Sequence, residues 1–190
     1  MRKLKFRMLN RLTQKVSDFR ASTIKIHQTE SDPDDNKTFH LVLETSEEIV
    51  GYLRLAFPPF SYLAKSTFPP VKFPNENQGV EIGRLMIKDK FRGLGLSYII
   101  LLEALKYAKR YGFKYFFGVA DPNYFYLTKY LDIGVSKHGQ LVAFSPIYLD
   151  KSHRFTQPII FEFTNIEPKL EERLDSTLIF LKQAGYFIYP

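Results

Sequence analysis

The chain has 190 residues, 45% hydrophobic and 25% charged, which suits one soluble domain with a core large enough to need no covalent staples. It has no cysteine, which excludes disulfides and thiolate metal sites, and its four histidines (His27, His40, His138, His153) lack the spacing of a zinc site. The net charge of +7 suits either a solvated basic surface or an anionic partner: a nucleotide, a nucleic acid, an acidic carrier protein or a lipid headgroup.

The basic start of the chain has no unbroken apolar run behind it, so neither a signal peptide nor a membrane span is expected, and the expected location is cytoplasmic. Lys3 to Leu9 alternates apolar and polar residues and predicts a first strand. Thr13 to His27 reads as a helix with Val16, Phe19 and Ile24 inward, and Glu30 to Asn36 as an acidic turn. Thr38 to Glu44 and Ile49 to Phe57 predict a hairpin closed by Thr45 to Glu48. Residues 57–79 carry five prolines (Pro58, Pro59, Pro69, Pro70, Pro74) among aromatics, which no single regular element accommodates; a long loop or short-helix insertion is expected.

Glu81 to Lys88 follows as a strand in which Gly83 marks a bulge or a close backbone approach. Leu94 to Tyr111 is the strongest helix and stops at Gly112. Its residues Leu96, Ile99, Ile100, Leu101, Leu102 and Leu105 are expected inside, and Lys106, Lys109 and Arg110 suit the negative end of its dipole. Lys114 to Ala120 is a continuous apolar run, as in a central parallel strand. Asn123 to Asp132 reads as a short helix, Gln140 to Leu149 and Pro158 to Phe163 as a closing strand pair, and Pro168 to Ala184 as a last amphipathic helix. Strand, turn, helix and strand over residues 81–120 make a βαβ unit. The expected fold is therefore a single α/β domain, residues 1–190, with a mixed sheet and helices on its faces.

Arg92-Gly93-Leu94-Gly95-Leu96-Ser97 sits between that strand and that helix. Backbone amides converge at such a glycine turn and the helix dipole favours negative charge, so a phosphate-bearing ligand is expected there. It is neither a Walker loop nor a dinucleotide fingerprint, for want of the closing Gly-Lys and of the three-glycine spacing. It fits Arg-x-x-Gly-x-(Gly/Ala), with Ser in the last small position, and resembles the pyrophosphate loop of the GNAT acyltransferase superfamily. The resemblance implies a mostly antiparallel central sheet with helices on both faces, and a thioester-binding core over residues 80–135. The amides of Leu94, Gly95, Leu96 and Ser97 would then hold the diphosphate or phosphopantetheine of an acyl thioester, with Arg92 adding charge.

A second set of motifs covers residues 30–97: Glu30-Ser-Asp32-Pro-Asp-Asp35, Gly51-Tyr-Leu-Arg54-Leu55, Thr67-Phe68-Pro69 and Glu81-Ile-Gly-Arg84-Leu85. In this order they resemble the motifs of acyl-homoserine-lactone (autoinducer) synthases and the related N-acyl amino acid synthases. The chain lacks the Phe and Trp that those synthases carry after their first helix; Ile24 follows Arg20 and the loop is shorter. That favours the broader relatives, which acylate amino acids, peptides or similar amines from acyl carrier protein or acyl-CoA.

An amine attacks a thioester only as the free base, so a carboxylate near it is needed to take its proton. Glu81 is the first candidate, and an ion pair with Arg54 or Arg84 is the alternative reading of the same residue. Arg54 and Arg84 on neighbouring strands can form a network with Asp32, Asp35 and Glu81 and clamp a substrate carboxylate. Strand amides around Leu85, Met86 and Ile87 are the expected donors to the tetrahedral oxyanion. Tyr130-Leu-Asp-Ile-Gly134, preceded by Asp121-Pro122, matches the spacing of the GNAT general acid, which makes Tyr130 either the acid for the departing thiolate or a packing residue.

Aromatics at Phe57, Phe60, Tyr62, Phe68, Phe73 and Tyr115 to Phe117 either line an acyl tunnel or pack the core. Lys88, Lys90, Arg92, Lys106, Lys109 and Arg110 are expected around the pantetheine entrance, where they suit an acidic carrier protein or the phosphates of coenzyme A. The expected activity is N-acyl transfer without a metal. The alternatives are acetyl-CoA-dependent N-acetylation and a non-catalytic nucleic-acid-binding or regulatory module. The last lacks aromatics interleaved with basic residues and any helix-turn-helix or RNA-binding signature.

Overall fold

Alternation and a four-residue polar turn build the first hairpin. In the computed structural model, which describes residues 2–23, 35–59, 67–68, 70–73, 75–120, 134–144 and 155–188, β1 (Arg2–Leu9) pairs antiparallel with β2 (Phe39–Glu44), and β2 with β3 (Ile49–Ala56). The turn closes through the Thr45 N–H donating to the Glu48 carbonyl at 2.9 Å. β5 (Gly79–Ile87) lies antiparallel to β3 and parallel to β6 (Tyr115–Ala120), and α2 (Leu96–Arg110) connects β5 to β6 as the βαβ pattern requires.

Beyond β6 the sheet continues through β9 (Phe155–Glu162) and β8 (Val142–Phe144) to β4 (Thr67–Phe68), while β7 (Ser136–Lys137) also pairs with β9. β10 (Tyr186–Ile188) joins the opposite edge parallel to β1. The described strands form one ten-stranded sheet, antiparallel except at β1·β10 and β5·β6.

Directly paired residues share a face of a sheet. Leu41 opposite Leu53, Leu55 opposite Ile82 and Val80 opposite Phe116 face α2 and α3 (Phe163–Gln183). There α2 buries Leu96, Ile99, Ile100, Leu101, Leu102 and Leu105, as the sequence predicts, and α3 adds Ile166, Leu170 and Leu181. Each such side chain contributes about 2 kcal/mol relative to exposure.

The opposite face is polar at its centre. Val42 opposite Tyr52, Arg54 between His40 and Gly83, and Glu81 between Ala56 and Phe117 all point there. Its cover is α1 (Gln14–Thr23), started by the Thr13 hydroxyl accepting the Val16 N–H at 3.4 Å. Val16 and Phe19 of α1 pack on Val42, Ile49 and Tyr52. Glu44, buried beneath Arg7 (3.1 Å) and Lys15 (3.2 Å), ties α1 to the hairpin. Burial would raise its carboxyl, but the two cations outweigh that and hold it below its ordinary value.

Four expectations change. The proline-rich insertion supplies β4 and a 3₁₀ turn, Glu76–Gln78, and so takes part in the sheet. The last helix starts five residues before Pro168, because Phe163 and Ile166 are buried while Pro168 is exposed on the outer side of the helix. α2 starts at Leu96, two residues late, because Gly95 is left-handed at φ 75°. β10 carries no turn signal strong enough to predict it. The helix expected over Asn123 to Asp132 lies outside the described residues, as does the end of the first helix beyond Thr23. Among the described residues no helix is long and apolar enough to cross a membrane.

Candidate active site

The turn after β5 is built by two left-handed glycines. A 3₁₀ turn (Asp89–Phe91) buries Phe91, after which Gly93 (φ 82°) and Gly95 (φ 75°) reverse the chain into α2. Arg92 folds back, its Nε donating to the Ile87 carbonyl at 3.3 Å and its Nη2 lying 3.0 Å from the Asp89 carboxylate. No side chain caps α2. Apart from ladders and helix bonds, the main-chain bonds of this turn are Phe91 N–H to Lys88 O, Arg92 N–H to Asp89 O and Tyr98 N–H to Gly95 O. The first-turn amides of α2 thus have no capping partner among the described residues, which is the arrangement that receives an anion.

The two glycines are needed for different reasons. A Cβ on Gly93 would meet nothing within 4 Å. One on Gly95 would collide with the Thr177 hydroxyl of α3 and lie 2.9 Å from its Cγ2, so α3 packs against the turn from behind. Gly95→Ala is therefore expected to destabilise the fold by about 2–5 kcal/mol, from left-handed strain and overpacking together. Thr177→Ala in the same chain should recover the overpacking share. Thermal melting checks this, and an unchanged midpoint for Gly95→Ala would mean that α3 yields freely.

β5 is irregular in front of the turn. Arg54 pairs with Gly83 but Tyr52 pairs with Met86, so Arg84 and Leu85 both stand against Leu53. The bulge is centred on Arg84, at φ 56°, one residue past the glycine that marks it in the sequence. On its other side, among the described residues, the ladder of β5 with β6 ends at Glu81 opposite Phe117. From there β5 runs on to Ile87 with Leu85, Met86 and Ile87 half-buried, presenting main chain along an edge that leads to the glycine turn.

The polar face beneath α1 converges on Asp35. Its carboxylate lies 2.6 Å from Arg20 Nη1 and 3.4 Å from Arg54 Nη1, and all three residues are buried. Arg20 is 1% exposed, and its Nε and Nη2 have no hydrogen-bond partner among the described residues. His40 and Tyr52, both wholly buried, join beside them: His40 Nδ1 is 2.7 Å from the Tyr52 hydroxyl, and Nε2 is 2.9 Å from the Asp35 carbonyl. Burial pushes the Tyr52 hydroxyl up to about 12 against the pull of Arg20, Arg54 and Arg84. Burial also lowers His40 from 6.5, more than the Asp35 carbonyl and carboxylate raise it. Glu81, 3% exposed, sits on this same face where the β5·β6 ladder ends.

The structure thus gathers Asp35, Arg54, Glu81 and Arg84 on one face, and Leu85 to Ile87 with Arg92 to Ser97 along the adjoining edge and turn. Asp32 and Tyr130 lie outside the described residues. Arg20, His40 and Tyr52 belong to the same cluster and were not singled out as site residues. Their signal was a long polar side chain at an inward helix position and two polar residues at inward strand positions.

One expectation fails. Lys106, Lys109 and Arg110 do not surround the glycine turn. They lie toward the far end of α2, the last of them about 20 Å away at 1.5 Å per residue, where Lys109 pairs with Glu167 at 2.7 Å. Of the aromatics read as lining an acyl tunnel or packing the core, those described pack in two separate groups. Phe57 packs with Phe39 and Phe113 on the α2 side, whereas Phe73 packs with Phe117 at 4.6 Å on the other. Phe60 and Tyr62 lie outside the described residues.

Comparison with known proteins agrees with this fold. The family model described as acetyltransferase (GNAT) family matches residues 7–126. No curated protein matches the sequence. Among solved structures, the fold is similar to that of the acyl-homoserine-lactone synthase LasI, with TM-score 0.67 and 14% identity over 90% of this chain and 94% of that one. It is similar to BjaI, a CoA-dependent acyl-homoserine-lactone synthase solved with SAM and isopentyl-CoA, with TM-score 0.60 and 14% identity over 92% and 90%. A Bacillus subtilis acetyltransferase in complex with CoA gives 0.56 and 13% over 84% and 98%.

Proposed function

The chain belongs to the GNAT acetyltransferase family, and we propose that this acyl-transfer enzyme moves a fatty acyl group from acyl carrier protein or acyl-CoA to the amine of an amino acid or peptide. The observation that carries the acceptor class is Arg20: a buried guanidinium with Nε and Nη2 unsatisfied among the described residues, on the face that holds Glu81. A buried donor pair without an acceptor is costly, and a carboxylate on the amine substrate matches that fork. Asp35 takes only Nη1 of Arg20 and leaves the rest of the fork for the substrate.

The donor's diphosphate or phosphopantetheine phosphate lies against the amides of Leu94, Gly95, Leu96 and Ser97, and its arm follows the open edge of β5. The main chain of Leu85, Met86 and Ile87 there faces the thioester carbonyl and holds its oxygen as negative charge develops. Glu81 takes the proton from the acceptor's ammonium. The freed nitrogen lone pair then attacks the carbonyl carbon, the C–N bond forms, and collapse of the tetrahedral intermediate breaks the C–S bond. Tyr130 supplies the proton that the leaving thiolate takes up. Arg84, held at the bulge, and Arg54 with Asp32 and Asp35 orient the acceptor.

Support for a carrier protein as donor comes from Lys88, Lys90 and Arg92 beside the turn, although Lys88 and Lys90 both also hold Glu48. Similarity to an acetyltransferase in complex with CoA supports acetyl-CoA as the second reading. Incubation of the protein with acyl carrier protein, medium- and long-chain acyl-CoA and acetyl-CoA, each with free amino acids, decides between them by mass spectrometry. An N-acyl amino acid from the longer donors is the expected product. Product from acetyl-CoA alone supports the second reading, and none from any donor overturns the proposal.

A further inference from the structure

The Tyr52–His40 pair has a direction that the geometry fixes. The Asp35 carbonyl oxygen can only accept, so His40 Nε2, 2.9 Å away, must carry a hydrogen. In a neutral ring Nδ1 then has the lone pair, and the Tyr52 hydroxyl at 2.7 Å must donate to it. Among the described residues, the charged groups acting on the ring are Arg20 from α1, Asp35 from the turn before β2 and Arg54 from β3, with Arg84 from β5 acting on Tyr52. A cationic His40 would add a further buried positive charge to these guanidinium groups, which favours the neutral form.

We propose that Tyr52 and His40 form a one-way hydrogen-bonded relay that holds the Asp35 backbone, so that the Asp35 carboxylate keeps the Arg20 and Arg54 forks aimed at the acceptor. Both are positioning residues, since each is wholly buried and acts through Asp35. The Thr38 hydroxyl steadies the same carbonyl at 3.0 Å. The relay joins β2 and β3 to the segment carrying Asp35. It rests on the reading of this face as the acceptor side.

The test uses the full-length protein and three variants. In ¹⁵N NMR of the free enzyme near neutral pH, the His40 ring, assigned by its loss in His40→Gln, is expected as the neutral Nε2–H tautomer. With decanoyl-CoA and free amino acids, His40→Ala should raise the acceptor KM about tenfold and leave the donor KM unchanged, as loss of one orienting hydrogen bond predicts. His40→Gln, which keeps an N–H for the Asp35 carbonyl, should recover most of that. Tyr52→Phe removes the donor that stabilises the neutral ring, so His40 should protonate at higher pH than in the wild type. Its kcat/KM should then fall at a higher pH on acidification than that of the wild type does.

A cationic or Nδ1–H ring at neutral pH, or an unchanged acceptor KM in folded His40→Ala, overturns the relay. If His40→Ala does not fold, His40→Gln and Tyr52→Phe carry the kinetic test, and a pH profile in Tyr52→Phe that coincides with the wild type's overturns it equally. Absence of any transfer by the wild type overturns the reading of the function instead, and the NMR tautomer, which needs no substrate, still decides the relay.

Discussion

Glu81→Gln is expected to lower kcat by about 10²- to 10⁴-fold, the usual worth of a positioned general base, while donor affinity stays near that of the wild type. The argument starts from position. Glu81 is the last residue of β5 paired to β6, and it faces the polar side of the sheet, next to Ala56 and along the strand from Gly83 and Arg54. That places it where the open edge of β5 begins, between the donor's path and the Arg20–Asp35–Arg54 cluster. Gln keeps the shape and loses only the ability to take a proton. A purely structural ion pair with Arg54 or Arg84 predicts something else: a lower melting temperature and a rate reduced in proportion to misfolded enzyme. Turnover, donor binding and melting measured on one preparation therefore separate the two readings. A rate within about threefold of wild type, or a pH–rate profile unchanged in shape, removes Glu81 as the base.

The central βαβ unit was legible because each of its parts carries its own local signal. An apolar strand, a helix with apolar residues on most sides, and Gly112 at its end require no knowledge of distant contacts. The edges were not legible for the opposite reason. β4 is two residues of a proline-rich segment that become a strand only by meeting β8. β10 exists because β1 offers it a parallel partner. The start of α3 was misplaced because the first-turn preference of proline is a local rule, and the burial of Phe163 and Ile166 overrode it.

The site divides along the same line. The glycine turn and the Arg54–Asp35 contact were readable, since one is a local pattern and the other pairs opposite charges in an ordered set of motifs. Gly83 signals a bulge or a close backbone approach without fixing which, whereas the register that centres the bulge on Arg84 belongs to the β3·β5 pairing. His40 and Tyr52 look like ordinary strand residues in the sequence. Only the pairing of β2 with β3 puts one imidazole against one phenol, and only the turn at Asp35 supplies the carbonyl. The six basic residues expected at one entrance were a composition argument. The length of α2 divides them.

Asp35→Asn should be the most destabilising conservative change in this cluster, by about 3–5 kcal/mol, the cost of leaving a buried charge without its partner. Arg20 is 1% exposed and Asp35 is the carboxylate bonded to it at 2.6 Å, so an amide there leaves a buried guanidinium with its counter-charge gone. For a chain of this size the melting temperature should fall by about 10 °C. Arg20→Met removes the charge and keeps much of the volume, leaving Asp35 its contact with Arg54 at 3.4 Å. It should melt closer to the wild type than Asp35→Asn while losing most affinity for a carboxylate-bearing acceptor. That opposition matters, because a cluster serving stability alone would make both variants lose stability and acceptor affinity together. Calorimetry beside acceptor KM for the two variants measures it, and equal acceptor KM in Arg20→Met and wild type would withdraw Arg20 from the binding of substrate.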